Sequence, residues 1–208
     1  VLPFFKDATL STEEVAQRLL GCLLIKEEDN QTTSGWIVET EAYVGIDDEA
    51  CHSFNSRRTP RLESMYKEAG TVYIYQMHTH HMVNIVTRTQ AEPQAVLIRA
   101  IEPYEGIPLL EKRRNRKGIE LTNGPGKLTK AMGITMADNG SAADKAPLYI
   151  SDEMRKTPRL IEQTQRIGIP NKGQWTDALL RYSVEGNPYV SRKKGKPMND
   201  HGWKAMIH

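Results

Sequence analysis

The chain of 208 residues is poor in cysteine, with only Cys22 and Cys51. Two thiols cannot build a disulfide scaffold or a cysteine-only zinc site. No stretch approaches the roughly 18 consecutive apolar residues that a membrane helix needs. The opening residues Val1–Leu10 lack a basic run followed by an apolar one, so no secretory leader is expected there. Internal repeats, low-complexity tracts and Pro/Gly/Ser-rich linkers are also missing. Net charge is nearly absent: 28 Lys and Arg against 26 Asp and Glu leave +2, which alone carries no nucleic-acid signature. These absences predict one soluble, cytoplasmic domain over residues 1–208, long enough to bury a core.

Charge is nevertheless distributed unevenly. Basic residues gather at Arg57, Arg58 and Arg61, at Lys112-Arg113-Arg114 through Lys117, and at Arg192-Lys193-Lys194 with Lys196. Each cluster alone reads as solvated surface. On one shared face they would make a phosphate footprint.

Ser11-Thr12-Glu13-Glu14 has the form of a capping box, and Val15, Leu19 and Leu20 continue at helical spacing until Gly21. Short strands are predicted at Cys22–Ile25, Ala95–Glu102 and Gly35–Tyr43. In the last, alternation puts Ile37, Glu39, Glu41 and Tyr43 on one face. Thr71–Tyr75 and Met82–Thr87 are rich in β-branched and aromatic residues and read as a hairpin, with Gln76–His81 as its loop. Helices are predicted at Gly106–Lys117, Lys127–Met132 and Pro158–Arg166. Strands are predicted at Leu179–Val184 and Tyr189–Ser191, around the turn Glu185–Pro188. Strands first and helices later indicate an α+β domain with a mainly antiparallel sheet.

Chemistry could reside at several places. Glu39 and Glu41 share a strand face with Ile37 and Tyr43, so each carboxylate must find a hydrogen bond or a cation, or raise its pKa. That pattern suits a salt-bridged face or a general base beside an aromatic wall. His78, His80 and His81 invite metal, but their spacing fits neither a metalloprotease helix nor a zinc finger, even with His52 as a remote partner. Contact with a phosphate or a base suits them better. Asn123-Gly124-Pro125-Gly126-Lys127 is not a complete nucleotide P-loop. It is either an ordinary helix entry or a phosphate seat made of free N–H groups beside Lys127.

Taken in order, Glu39-Thr40-Glu41-Ala42-Tyr43, Asp48–Ser53, Arg58-Thr59-Pro60-Arg61, Gly70–Tyr75, Leu97–Pro103 and Gly124–Leu128 resemble the alkyladenine (3-methyladenine) DNA glycosylases. The resemblance runs from about Phe4 to Ser191 and concerns the methylpurine type, not the helix-hairpin-helix glycosylases. It implies a curved antiparallel sheet with surrounding helices and a protruding β-hairpin that inserts into DNA. It implies base-excision repair by a monofunctional hydrolase that flips a damaged purine out of double-stranded DNA and leaves an abasic site. By position, Glu41 matches the catalytic carboxylate and Arg99 its partner, which holds the attacking water and keeps Glu41 ionised. Tyr43, His52 and Tyr75 match the base-stacking residues, and Asn84 matches the asparagine that excludes the guanine 2-amino group. Met77 or His78 falls at the intercalating position, and Arg57, Arg58, Arg61 and Lys127 at the phosphates. No metal or cofactor is implied, and the expected state is a monomer in the cytoplasm at the nucleoid. Two other readings stand beside it: a non-catalytic nucleic-acid-binding domain of the same fold, and a histidine metal hydrolase.

Overall fold

Ser11 caps the first helix, α1 (Thr12–Leu19), through both halves of the box: its side chain accepts from the Glu14 N–H, and Glu14 accepts from the Ser11 N–H. The computed structural model describes residues 3–193 and 195–205; Lys194, from the third basic cluster, lies outside them. Val15, Ala16 and Leu19 are fully buried. Gly21 ends the helix at φ +86°, where a Cβ would stand 1.8 Å from the Lys156 carbonyl oxygen, so no side chain fits there.

The strands are β1 (Leu23–Glu28), β2 (Gln31–Tyr43), β3 (Val72–Met77), β4 (His80–Val86), β5 (Ala95–Glu105), β6 (Leu148–Ser151), β7 (Ile161–Thr164) and β8 (Arg181–Val184). They form one sheet in the order β3-β4-β5-β2-β1-β6. The first half of β2 pairs with β1, while Glu39–Glu41 pair with β8, which in turn carries β7. Every pairing is antiparallel, in keeping with an α+β domain. Helices α2 (Ile107–Arg114) and α3 (Pro125–Met132) pack on each other, and α3 also covers β4 and β5; a short α4 spans Gln174–Asp177. The main core joins α1, α3 and the sheet. A smaller cluster of Cys51, Leu62, Met65, Tyr66, Tyr73, Val86 and Ala95 supports Tyr43 and Tyr75.

Two irregularities in the β2–β5 pair bear on the site. The register steps by one residue at Val38 on β2 and steps back at Arg99 on β5. An extra residue in one strand leaves its own ladder and re-aims its side chain. Arg99 is such a residue.

Several expected elements differ. Pro158–Arg166 is not a helix: Ile161–Thr164 form β7, paired from Ile161↔Val184 to Thr164↔Arg181. The ladder outweighs a weak local helical spacing. Tyr189–Ser191 lie in turn and bend conformation, because the Ser191 N–H is drawn to Glu39 at 2.7 Å. Leu148–Ser151 pair with β1 as an additional short strand, β6. The hairpin loop shrinks from Gln76–His81 to His78-Thr79, since Gln76↔His81 and Met77↔His80 extend the ladder.

Candidate active site

Glu41 is fully buried and has no freedom to rotate. Its Oε2 accepts from Tyr43 Oη at 2.8 Å, and its Oε1 accepts from the Ile167 N–H at 2.7 Å. Arg99 Nη1 lies 3.3 Å from Oε1. The alternation predicted for β2 therefore holds where it matters, with Tyr43 two residues on bonding the same carboxylate. Burial first, then the neighbouring Glu41, pushes the Tyr43 hydroxyl well above its usual range, so it stays protonated and donates.

Glu39 completes the cluster, with a role the sequence did not specify. It is fully buried and accepts from Arg99 Nε at 2.9 Å, Arg181 Nε at 2.7 Å, and the Ser191 N–H and Oγ at 2.7 and 2.8 Å. Two carboxylates and two guanidiniums thus balance in a desolvated site. Desolvation opposes the charge of Arg99, but Glu41 and Glu39 outweigh it and raise its pKa. Nothing local in the sequence marks Arg181 or Ser191, because their Glu39 partner is 142 and 152 residues away.

In front of this cluster opens a cavity of about 810 Å³, within the usual range for small-molecule sites. Tyr43, Arg99 and Ile167, all bonded to or touching Glu41, are part of its lining, so the carboxylate lies directly behind the wall. His52, Tyr73 and Tyr75 add flat faces: His52 meets Tyr75 edge-on at 4.5 Å, and its Nδ1 lies 2.8 Å from Tyr73 Oη. Desolvation, then Arg57, lowers the His52 pKa, so the imidazole is neutral at pH 7. Burial pushes Tyr75 up to about 12. Asn84 is pinned in the wall by its Nδ2, which donates to the carbonyls of Tyr73 and Met82 at 3.1 and 3.3 Å. The structure brings together Glu41, Arg99, Tyr43, His52, Tyr75 and Asn84.

The expected DNA contacts are more scattered. Met77 lines the cavity mouth and is 48% exposed. His78 occupies the turn at φ +54° and does not line the cavity. Arg57 borders a smaller adjoining cavity of about 310 Å³ that shares His52, and Arg61 is exposed. Arg58 is paired with Glu63 at 2.6 Å, and Lys127 at the rim with Glu120 at 2.8 Å. Lys193, read only as part of a charge cluster, lines the cavity, and its Nζ is buried without a partner among the described residues. Among these residues, no three His, Cys, Asp or Glu side chains are grouped to hold a metal ion, so the histidine-rich hairpin does not assemble a ligand set.

A family model described as methylpurine-DNA glycosylase matches residues 5–188. The chain belongs to the methylpurine-DNA glycosylase family. Similar proteins occur in bacteria. One from Bacillus subtilis is 57% identical over 192 residues, covering 92% of this chain and 95% of its own. One from Enterococcus faecalis is 52% identical, over 94% and 87%; one from Staphylococcus saprophyticus is 49% identical, over 93% and 96%. Each is provisionally named a 3-methyladenine DNA glycosylase. A DNA glycosylase is a hydrolase of DNA repair, and DNA is the partner of this methylpurine-DNA glycosylase. No helix among the described residues is long and apolar enough to cross a membrane.

Proposed function

We propose that this protein is a monofunctional glycosylase that removes alkylated or deaminated purines flipped from double-stranded DNA, using water activated by Glu41. The observation that supports it best is the fully buried Glu41 carboxylate, fixed by Tyr43, Ile167 and Arg99 directly behind the lining of an aromatic cavity. A base must leave the stack before its glycosidic bond is reachable, at a cost of about a few kcal/mol. The flipped purine stacks among Tyr43, Tyr75 and His52. The pinned Asn84 disfavours the 2-amino group of normal guanine, a barrier that 7-methylguanine offsets because its cationic base is a far better leaving group. Water attacks C1′ of an oxocarbenium-like sugar, its proton passes to Glu41, and the glycosidic electron pair leaves with the base. The carboxylate also stabilises the cationic sugar, while Arg99 holds the water. The scheme requires neither metal nor cofactor.

Cationic 3-methyladenine departs as a neutral base. A neutral lesion needs more help from the pocket. With Tyr73 donating to Nδ1, His52 has its Nε2–H free for such a purine. Arg57, Arg58, Arg61, Lys127 and Lys193 serve the phosphates of DNA bound by a single protomer in the cytoplasm; Arg58 and Lys127 do so by exchanging their carboxylate partners. Each such contact adds about −0.9 to the slope of log K against log salt.

Duplexes with one 3-methyladenine, 7-methylguanine, hypoxanthine or ethenoadenine test the reaction. Strands should break at the lesion only after alkali. A break without alkali would exclude monofunctional hydrolysis, and no alkali-labile site with any lesion would leave only a binding domain.

The hairpin tip makes a separate prediction. Met77→Ala combined with His78→Ala should slow excision from duplex about tenfold more than from single-stranded DNA, because only the duplex has a gap to fill. Equal losses on the two substrates would remove the tip from the flipping step.

A further inference from the structure

The back of the Tyr43 ring carries a charge. The Arg166 guanidinium carbon lies 4.7 Å from the ring centroid. Its side chain is fully buried, as is that of Asp48, which holds it in a two-pronged ion pair at 2.6 and 2.9 Å. Arg166 also donates to the carbonyls of Ala42 and Trp175 at 3.0 and 3.4 Å, while its Nε has no partner among the described residues. Asp48 is itself fixed by the N–H groups of Val44 and Ala50, at 3.2 and 3.0 Å. The Arg166–Asp48 pair therefore cannot swing away from the ring. Tyr43 lines the cavity and Arg166 does not, so a base that stacks on the ring from the cavity takes the face that the guanidinium leaves free.

An aromatic face attracts cations because its π density is negative. A guanidinium on one face draws on that density, and its field reaches through the ring. The opposite face then holds a cation less well, while a neutral purine keeps its dispersion and stacking contacts. Asp48 offsets part of the charge but leaves the planar guanidinium against the ring.

We infer that Arg166 sets the lesion range: from behind Tyr43 it weakens the grip on cationic alkylpurines, so that neutral purines such as hypoxanthine and ethenoadenine compete as substrates. The inference rests on reading the cavity as the lesion site. Arg166 acts through Tyr43 and touches no substrate, so its signature is a ratio between substrates rather than a rate.

The test is the ratio of single-turnover excision rates for 7-methylguanine, a cation, and hypoxanthine, a neutral base, in otherwise identical duplexes. Asp48→Asn with Arg166→Met removes both charges together and leaves no lone buried ion; it should raise the cationic-to-neutral ratio about tenfold. Asp48→Asn alone leaves Arg166 less neutralised and should lower the ratio about threefold. A purely structural role would reduce both rates together and leave the ratio alone. The single variant tests the inference even if the double variant fails to fold, because a ratio does not depend on the active fraction. Wild-type ratios in whichever variants fold would overturn the inference and leave the glycosylase reading intact. A wild-type protein that excises neither base would overturn the inference, and one that also leaves 3-methyladenine in place would overturn the glycosylase reading as well.

Discussion

Glu41→Gln is expected to keep lesion binding and lower single-turnover excision by about 10²–10⁴-fold, the usual effect of losing a general base. Glutamine has nearly the same shape, so it can keep a hydrogen bond to the Ile167 N–H or to Tyr43. Arg99 retains Glu39 as its closer partner, at 2.9 Å. What disappears is the negative charge that, in the proposed mechanism, takes the water proton and faces the cationic sugar. Excision at the wild-type rate, measured with enzyme in excess, would remove Glu41 from the chemistry.

Glu39→Ala should have the largest effect on stability, a loss of about 3–5 kcal/mol, because removing one partner of a buried ion cluster leaves charges desolvated and unpaired. Arg181 loses its carboxylate and keeps only Thr164 Oγ1 and the Ser191 carbonyl, at 3.0 and 2.9 Å. Arg99 is left with the Glu41 carboxylate at 3.3 Å and a long contact to Ser191 Oγ at 3.4 Å, and the Ser191 segment loses its anchor on β2. For a chain of this size, each kcal/mol corresponds to roughly 2–4 °C in Tm. A urea titration giving a loss below about 1 kcal/mol would mean that the two guanidiniums find other partners.

Local chemistry in the sequence foretold much of this. The Ser11 cap, the alternation of β2 and the β-branched hairpin strands depend on neighbours a few residues away, and they appear as expected. The contact between Arg99 and Glu41 was legible because a lone arginine inside an apolar strand has to meet a carboxylate. How it gets there was not: the register steps at Val38 and Arg99 are properties of two paired strands, and neither strand alone shows them. The same limit explains Pro158–Arg166, where pairing with β8 decides the conformation. Arg166 resembled any arginine in a polar stretch, because Asp48 is 118 residues away. Nothing in its basic run distinguishes Lys193 from its neighbours; only the folded cavity does.

The most direct measurement is a crystal structure of Glu41→Gln bound to a duplex with one hypoxanthine. The damaged base should lie in the cavity between Tyr43 and the His52–Tyr75 pair, with C1′ of its sugar facing residue 41 and Met77 in the gap left in the stack. A lesion still stacked in the duplex, or a base held elsewhere with the cavity empty, would contradict the account.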